Sequence, residues 1–123
     1  MLNVKVINIL IIKKESESMK VYIAGPISGT TDYIERFSKV AERLREMGHD
    51  PINPAAESAD LPEDTPYESL LFIGLGLLAS CNCIYLLKGW EKSIGANREY
   101  GFALGREMLV MKEGDQNGTG KEL

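Results

Sequence analysis

The sequence offers little for metal or disulfide chemistry, since its only histidine is His49 and its only cysteines are Cys81 and Cys83. A zinc site wants about four ligands at suitable spacing, and His49 lies far from the pair. Two cysteines two residues apart in an apolar run are badly placed to bridge each other, so they read as buried thiols in a reducing cytoplasm. Positive charge is also short: the net charge is -4, whereas a protein gripping long nucleic acid needs clustered Lys and Arg to displace counterions. Any phosphate bound here is therefore expected to be small and held by backbone N–H groups and hydroxyls. What is present is an ordinary globular balance, 44% hydrophobic and 26% charged, which excludes a disordered chain and leaves room for one core.

Residues 1–18 read as an extension ahead of a domain that begins at Met19. The apolar stretch Val4–Ile12 is too short to span a bilayer, and it lacks a basic leader and a small-residue cleavage site. Its β-branched content suits an extra N-terminal strand, with Lys13–Ser18 as a solvated connector; an upstream start codon and a flexible arm are the alternatives.

From Lys20 the pattern alternates strand and helix. Val21–Ala24 runs into the turn Gly25-Pro26-Ile27-Ser28-Gly29. A helix follows, with capping-box spacing at Asp32 and Glu35, an apolar face of Phe37, Val40, Ala41, Leu44 and Met47, and Gly48 as its stop. His49–Asn53 reads as a short strand that Pro51, lacking a donor, pushes to the sheet edge. Pro54–Asp64 reads as loop, and Thr65-Pro66-x-Glu68 as the start of a helix reaching about Ser80. Leu70–Leu87 carries no formal charge and could be mistaken for a membrane span. Asn82 interrupts it, Gly74 and Gly76 weaken a continuous helix, and Cys83–Leu87 reads better as a buried parallel strand. The apolar excess on Leu70–Leu78 is expected to meet a second subunit. A turn over Lys88–Lys92, a helix opened by Ser93 and closed by Gly105, and a strand at Met108–Met111 complete the domain (19–111), and 112–123 read as a disordered tail.

Strands separated by such helices imply right-handed crossovers and a parallel sheet covered on both faces. Ligands bind beyond the carboxyl ends of strands in such sheets, which selects the loops Gly25–Thr31 and Lys88–Gly95. Tyr33 and Trp90 are candidates to pack on a base or ribose. Glu99 stands one turn after Gly95, so both face one way, and the missing side chain at Gly95 would leave the carboxylate approachable. Its early place in the helix favours the ionised form.

Tyr22-Ile23-Ala24-Gly25-Pro26-Ile27-Ser28-Gly29 and Tyr85-Leu86-Leu87-Lys88-Gly89-Trp90-Glu91-Lys92-Ser93-x-Gly95-Ala96-x-x-Glu99, each after a predicted strand, closely resemble the DUF4406 family over about residues 19–111. That family resembles nucleoside 2-deoxyribosyltransferases and 2′-deoxynucleoside 5′-phosphate N-hydrolases. The resemblance implies a flavodoxin-like three-layer α/β fold with strand order 2-1-3-4. It also implies a small nucleoside or nucleotide as ligand and no organic cofactor, while the thiols, the lone histidine, the negative charge and the apolar helix face point to a cytoplasmic homo-oligomer with no metal, long nucleic acid or membrane involved. By it Glu99 is the nucleophile that attacks C1′, and Ser28 and Ser93 belong to the substrate site, which the residue reading completes with Gly25, Gly29, Tyr33, Trp90 and Gly95.

The resemblance further implies a 5′-phosphate on the ligand, because the hydrolases place a serine where Ser93 stands and the transferases an aspartate. Two departures set this chain apart. The acid that those enzymes carry on the helix before the third strand falls at Gly74, and the first-loop arginine of the hydrolases is replaced by Ser28. Proton donation and phosphate grip would then come from Glu91, Asp32 or a neighbouring subunit. A catalytically silent nucleotide-binding module is the competing expectation.

Overall fold

A computed structural model describes residues 18–114. Four parallel strands form one sheet in the order β2-β1-β3-β4: β1 Lys20–Ala24, β2 Asp50–Ile52, β3 Cys83–Leu86 and β4 Leu109–Lys112. This is the flavodoxin-like arrangement and strand order expected from the sequence. The helices are α1 Tyr33–Glu46, α2 Pro54–Glu57, α3 Tyr67–Ala79 and α4 Ile94–Gly105, and a single 3₁₀ turn covers Trp90–Lys92.

Alternation along the two central strands sorts side chains into two core layers. Val21 and Ile23 of β1 join Cys83, Tyr85 and Leu87 beneath Phe37, Val40, Ala41 and Leu44 of α1. Tyr22 and Ala24 join Ile84 and Leu86 on the other face, against Leu78 of α3 and Ala96 and Ala103 of α4. Both faces of β1 and β3 are buried, which is why these strands read as continuous apolar runs. The register Val21↔Cys83 through Ala24↔Leu86 ends β1 and β3 level with one another, so the loops that follow them emerge side by side.

Local chemistry accounts for most element ends. Gly48 adopts φ +90° just past the Met47 C-cap, the left-handed stop that glycine takes without penalty. β2 is an edge strand pairing with β1, where the missing N–H of Pro51 costs nothing. His49 lies buried between them, with Nδ1 accepting the Met19 N–H at 3.2 Å, and burial lowers its pKa.

Several local expectations need correction. Pro54–Asp64 is not all loop, because Asn53 Oδ1 accepts the N–H groups of Ala55 and Ala56 and caps the one-turn helix α2. Thr65 does not cap α3: its hydroxyl turns back to the Pro62 carbonyl at 2.6 Å, Pro66 takes the cap position, and the helix starts one residue later. Asp32 takes the cap position of α1 without a side-chain capping bond, its carboxylate lying 3.6 Å from Arg36 instead. Lys112, assigned to the tail, is the last residue of β4, and Glu113 and Gly114 turn after it. The expected N-terminal strand and the rest of the tail lie outside the described residues. Among the described residues no helix is long and apolar enough to cross a membrane.

Candidate functional site

The loops after β1 and β3 meet. A Cβ at Gly89 would lie 3.3 Å from Pro26 Cγ, and Arg36 Nη2 donates to the Lys88 carbonyl at 3.4 Å. Gly25 is fixed by packing, since a Cβ there would stand 2.7 Å from Leu87 Cβ; only a bare Cα lets the end of β1 settle on that side chain. Gly29 holds φ +79° with open space around it, and the turn is closed by Thr30, whose N–H and hydroxyl both reach the Ile27 carbonyl. Ser28 is exposed on that turn.

The second loop is built around the start of α4. Ser93 Oγ accepts the Ala96 N–H at 3.1 Å, the expected N-cap. Asn97 donates to the carbonyls of Trp90, Glu91 and Ser93 at 3.2, 3.1 and 2.8 Å, clamping the 3₁₀ turn onto the helix it precedes. Trp90 packs edge-on to Tyr100 at 4.9 Å, with the Lys112 ammonium 5.6 Å from its ring, so it forms part of the wall between α4 and the sheet. Tyr33 packs against the core layer under α1. The structure thus brings Gly25, Gly29, Ser28 and Ser93 to one end of the sheet and seats Trp90 and Tyr33 in its flanking layers.

Glu99 points inward from α4. Its Oε2 accepts a hydrogen bond from the Tyr22 hydroxyl at 2.5 Å. A Cβ at Gly74 of α3 would stand 2.8 Å from both of those oxygens, so the close pair fits only beneath a residue without a side chain. The position that sequence comparison marks as the missing acid therefore faces Glu99 directly. Burial pushes the Glu99 carboxyl up to about 7, against the lowering effect of the Tyr22 hydrogen bond. The expectation of a carboxylate favoured by the helix N-terminus is corrected accordingly: the influence of the dipole fades within the first turn, and Glu99 lies beyond it, partly buried against Tyr22 and Gly74. Tyr22, fully buried and next to that charge, is raised above its ordinary value of 10.0.

Gly95 also faces α3, where the Tyr67 hydroxyl lies 3.3 Å from its would-be Cβ. The space that Gly95 was expected to leave open is overhung by Tyr67, and the Arg98 guanidinium lies 5.7 Å from that ring's centroid. On the outer side of α4, Glu91, Lys92, Ser93, Ile94, Asn97 and Arg98 line a shallow cavity of about 410 Å3. Among the described residues no group of three or more His, Cys, Asp or Glu is placed to hold a metal ion.

Sequence reasoning passed over Tyr22, Tyr67, Asn97 and Arg98. The only available signal was Tyr22 itself, a phenol in an otherwise aliphatic central strand, whose hydroxyl needs a partner once buried.

A parallel sheet in the order β2-β1-β3-β4, covered on both faces, is a flavodoxin-like α/β fold, the fold of the 2-deoxyribosyltransferases. A solved 2-deoxyribosyltransferase from the psychrotolerant bacterium Bacillus psychrosaccharolyticus matches it with a TM-score of 0.61, at 19% identity, over 76% of this chain and 70% of that one. The chain belongs to the family described as "Domain of unknown function (DUF4406)", whose model matches residues 19–112. No curated protein matches it significantly.

Proposed function

We propose that the protein cleaves or transfers the N-glycosidic bond of a (deoxy)nucleoside or nucleoside 5′-monophosphate, with Glu99 as the nucleophile. The observation that carries this reading is the Tyr22–Glu99 pair set beneath Gly74: a partly buried carboxylate, oriented by one hydrogen bond and packed against a residue without a side chain. Structural carboxylates are seldom placed so, and displaced pKa values cluster at working sites. Glu99 attacks C1′, the base leaves, and water or a second base displaces the carboxylate from the same face as the departed base, so configuration is retained overall. Every group in this double displacement is a side chain of the protein, the substrate or water.

The ligand's phosphate belongs, on this reading, at the cavity on the N-terminal turn of α4, where Lys92 and Arg98 stand beside Ser93 and supply the charge that Ser28 does not. A second copy of the chain would cover α3, whose Leu70, Phe72 and Ile73 are exposed at 38%, 69% and 39%. A second functional reading, a nucleotide-binding module without catalysis, is favoured by one observation, the absence of an acid at Gly74.

Chromatography of free base after incubation with paired nucleosides and 5′-monophosphates, alongside calorimetric titration of the same pairs, separates the two. Base release that Glu99→Gln abolishes supports the enzyme. Phosphate-dependent binding without release supports the module, and equal or tighter binding of unphosphorylated ligands removes the phosphate subsite.

A further inference from the structure

We propose that the substrate of this site is an N-glycosylpyridinium nucleoside or nucleotide, whose base departs as a neutral pyridine and needs no proton. This rests on Glu99 being the nucleophile and adds the identity of the leaving group.

The argument begins with which protons the site can give. A purine or pyrimidine leaves C1′ poorly as an anion, and a positioned acid that protonates it is worth roughly 10²–10⁴ in rate. Among the described residues the side chain hydrogen-bonded to Glu99 is Tyr22 alone. That phenol already donates its proton to the carboxylate, and burial together with the Glu99 charge makes it a weaker acid still. The third wall is Gly74, which has no side chain and no room for one. Of the other acids considered, Asp32 is engaged by Arg36 at the start of α1, Glu91 lines the cavity on the outer side of α4, and the Tyr67 hydroxyl over Gly95 is a phenol held by Arg98 Nη1 at 3.5 Å, a far weaker acid than the carboxyl that falls at Gly74 in the related enzymes. A donor facing the bond that Glu99 would break is missing from this set.

A pyridinium base removes the need for one. As the C1′–N1 bond breaks, its electron pair stays on the ring nitrogen and cancels the positive charge, so neutral pyridine departs while Glu99 Oε forms the bond to C1′. Water then attacks C1′, the ester bond returns its pair to Glu99, and one proton passes to solvent. The sum is N-ribosylpyridinium plus water giving ribose, neutral pyridine and a proton.

The surroundings of Glu99 suit a cation. The Glu99 carboxyl resists ionisation because it is desolvated, and a positive ring beside it favours the charged form that attacks.

The test incubates the full-length chain, and its Glu99→Gln variant, with nicotinamide mononucleotide, nicotinamide riboside, the common nucleosides and their 5′-monophosphates, and 4-nitrophenyl ribofuranoside. Expected is Glu99-dependent release of nicotinamide, with purine and pyrimidine release at least about 100-fold slower, the lower end of what a positioned acid supplies. Purine or pyrimidine release as fast as nicotinamide release overturns the inference and leaves the Glu99 reading standing. So does release of nitrophenolate without nicotinamide, since the nucleophile then works but the cationic base is refused. Silence in every arm removes the nucleophile reading, and the inference falls with it.

Discussion

Replacing Glu99 by Gln should stabilise the protein at neutral and alkaline pH and leave it nearly unchanged in acid. The unfolded carboxyl titrates near 4.5 and the folded one near 7. Between those values the folded state holds a proton that the unfolded state has lost, so stability falls as pH rises through the window and levels off above it. At roughly 1.4 kcal/mol per pH unit, the full displacement is worth about 3 kcal/mol, an upper figure because the carboxyl is only partly buried and solvent screens it. Glutamine keeps the size of the side chain and an acceptor for the Tyr22 hydroxyl while removing the charge. Denaturant unfolding of both forms at intervals from pH 4 to pH 9 measures the effect, and taking the difference between them cancels the other carboxylates. The two stabilities should converge near pH 4 and separate by up to about 3 kcal/mol by pH 8, with the variant the more stable. A gap that stays constant across the range, or a wild type that gains on the variant as pH rises, would refute the reasoning that Glu99 is desolvated in the folded state.

Three further outcomes are expected. Gly74→Ala places a Cβ 2.8 Å from both oxygens of the Tyr22–Glu99 pair, and the overpacking should cost about 1–3 kcal/mol in denaturant unfolding. Gly25→Ala meets Leu87 at 2.7 Å and should cost a similar ~1–3 kcal/mol; Leu87→Ala in the same chain should recover part of that loss, a coupling that a double-mutant cycle reads directly. Tyr22→Phe removes the hydrogen bond that lowers the Glu99 pKa, so the acid limb of any base-release profile should move to higher pH, and an unmoved limb would show that the bond does not tune the carboxylate.

Amino-acid order alone was enough to determine the order of the four strands and the three long helices, the parallel sheet and the two loops at its carboxyl end, but not the one-turn helix α2. Those features depend on local causes: the 3.6-residue apolar stripe of α1, the caps at Gly48 and Ser93, and the apolar runs of β1 and β3 that permit only a doubly covered sheet. It also marked Glu99 and the gap at Gly74, through motif and spacing. Local signals failed where two groups competed for one bond, as at Thr65, which satisfies the Pro62 carbonyl in place of α3, and at Asp32, which turns to Arg36. The ionisation of Glu99 was illegible for a different reason. A carboxyl's pKa is set by what surrounds it in space, and the surroundings here come from three separated segments: Tyr22 on β1, Gly74 on α3 and Glu99 on α4. Only the tertiary packing brings those together, leaving the carboxylate short of water with one phenol to hold it.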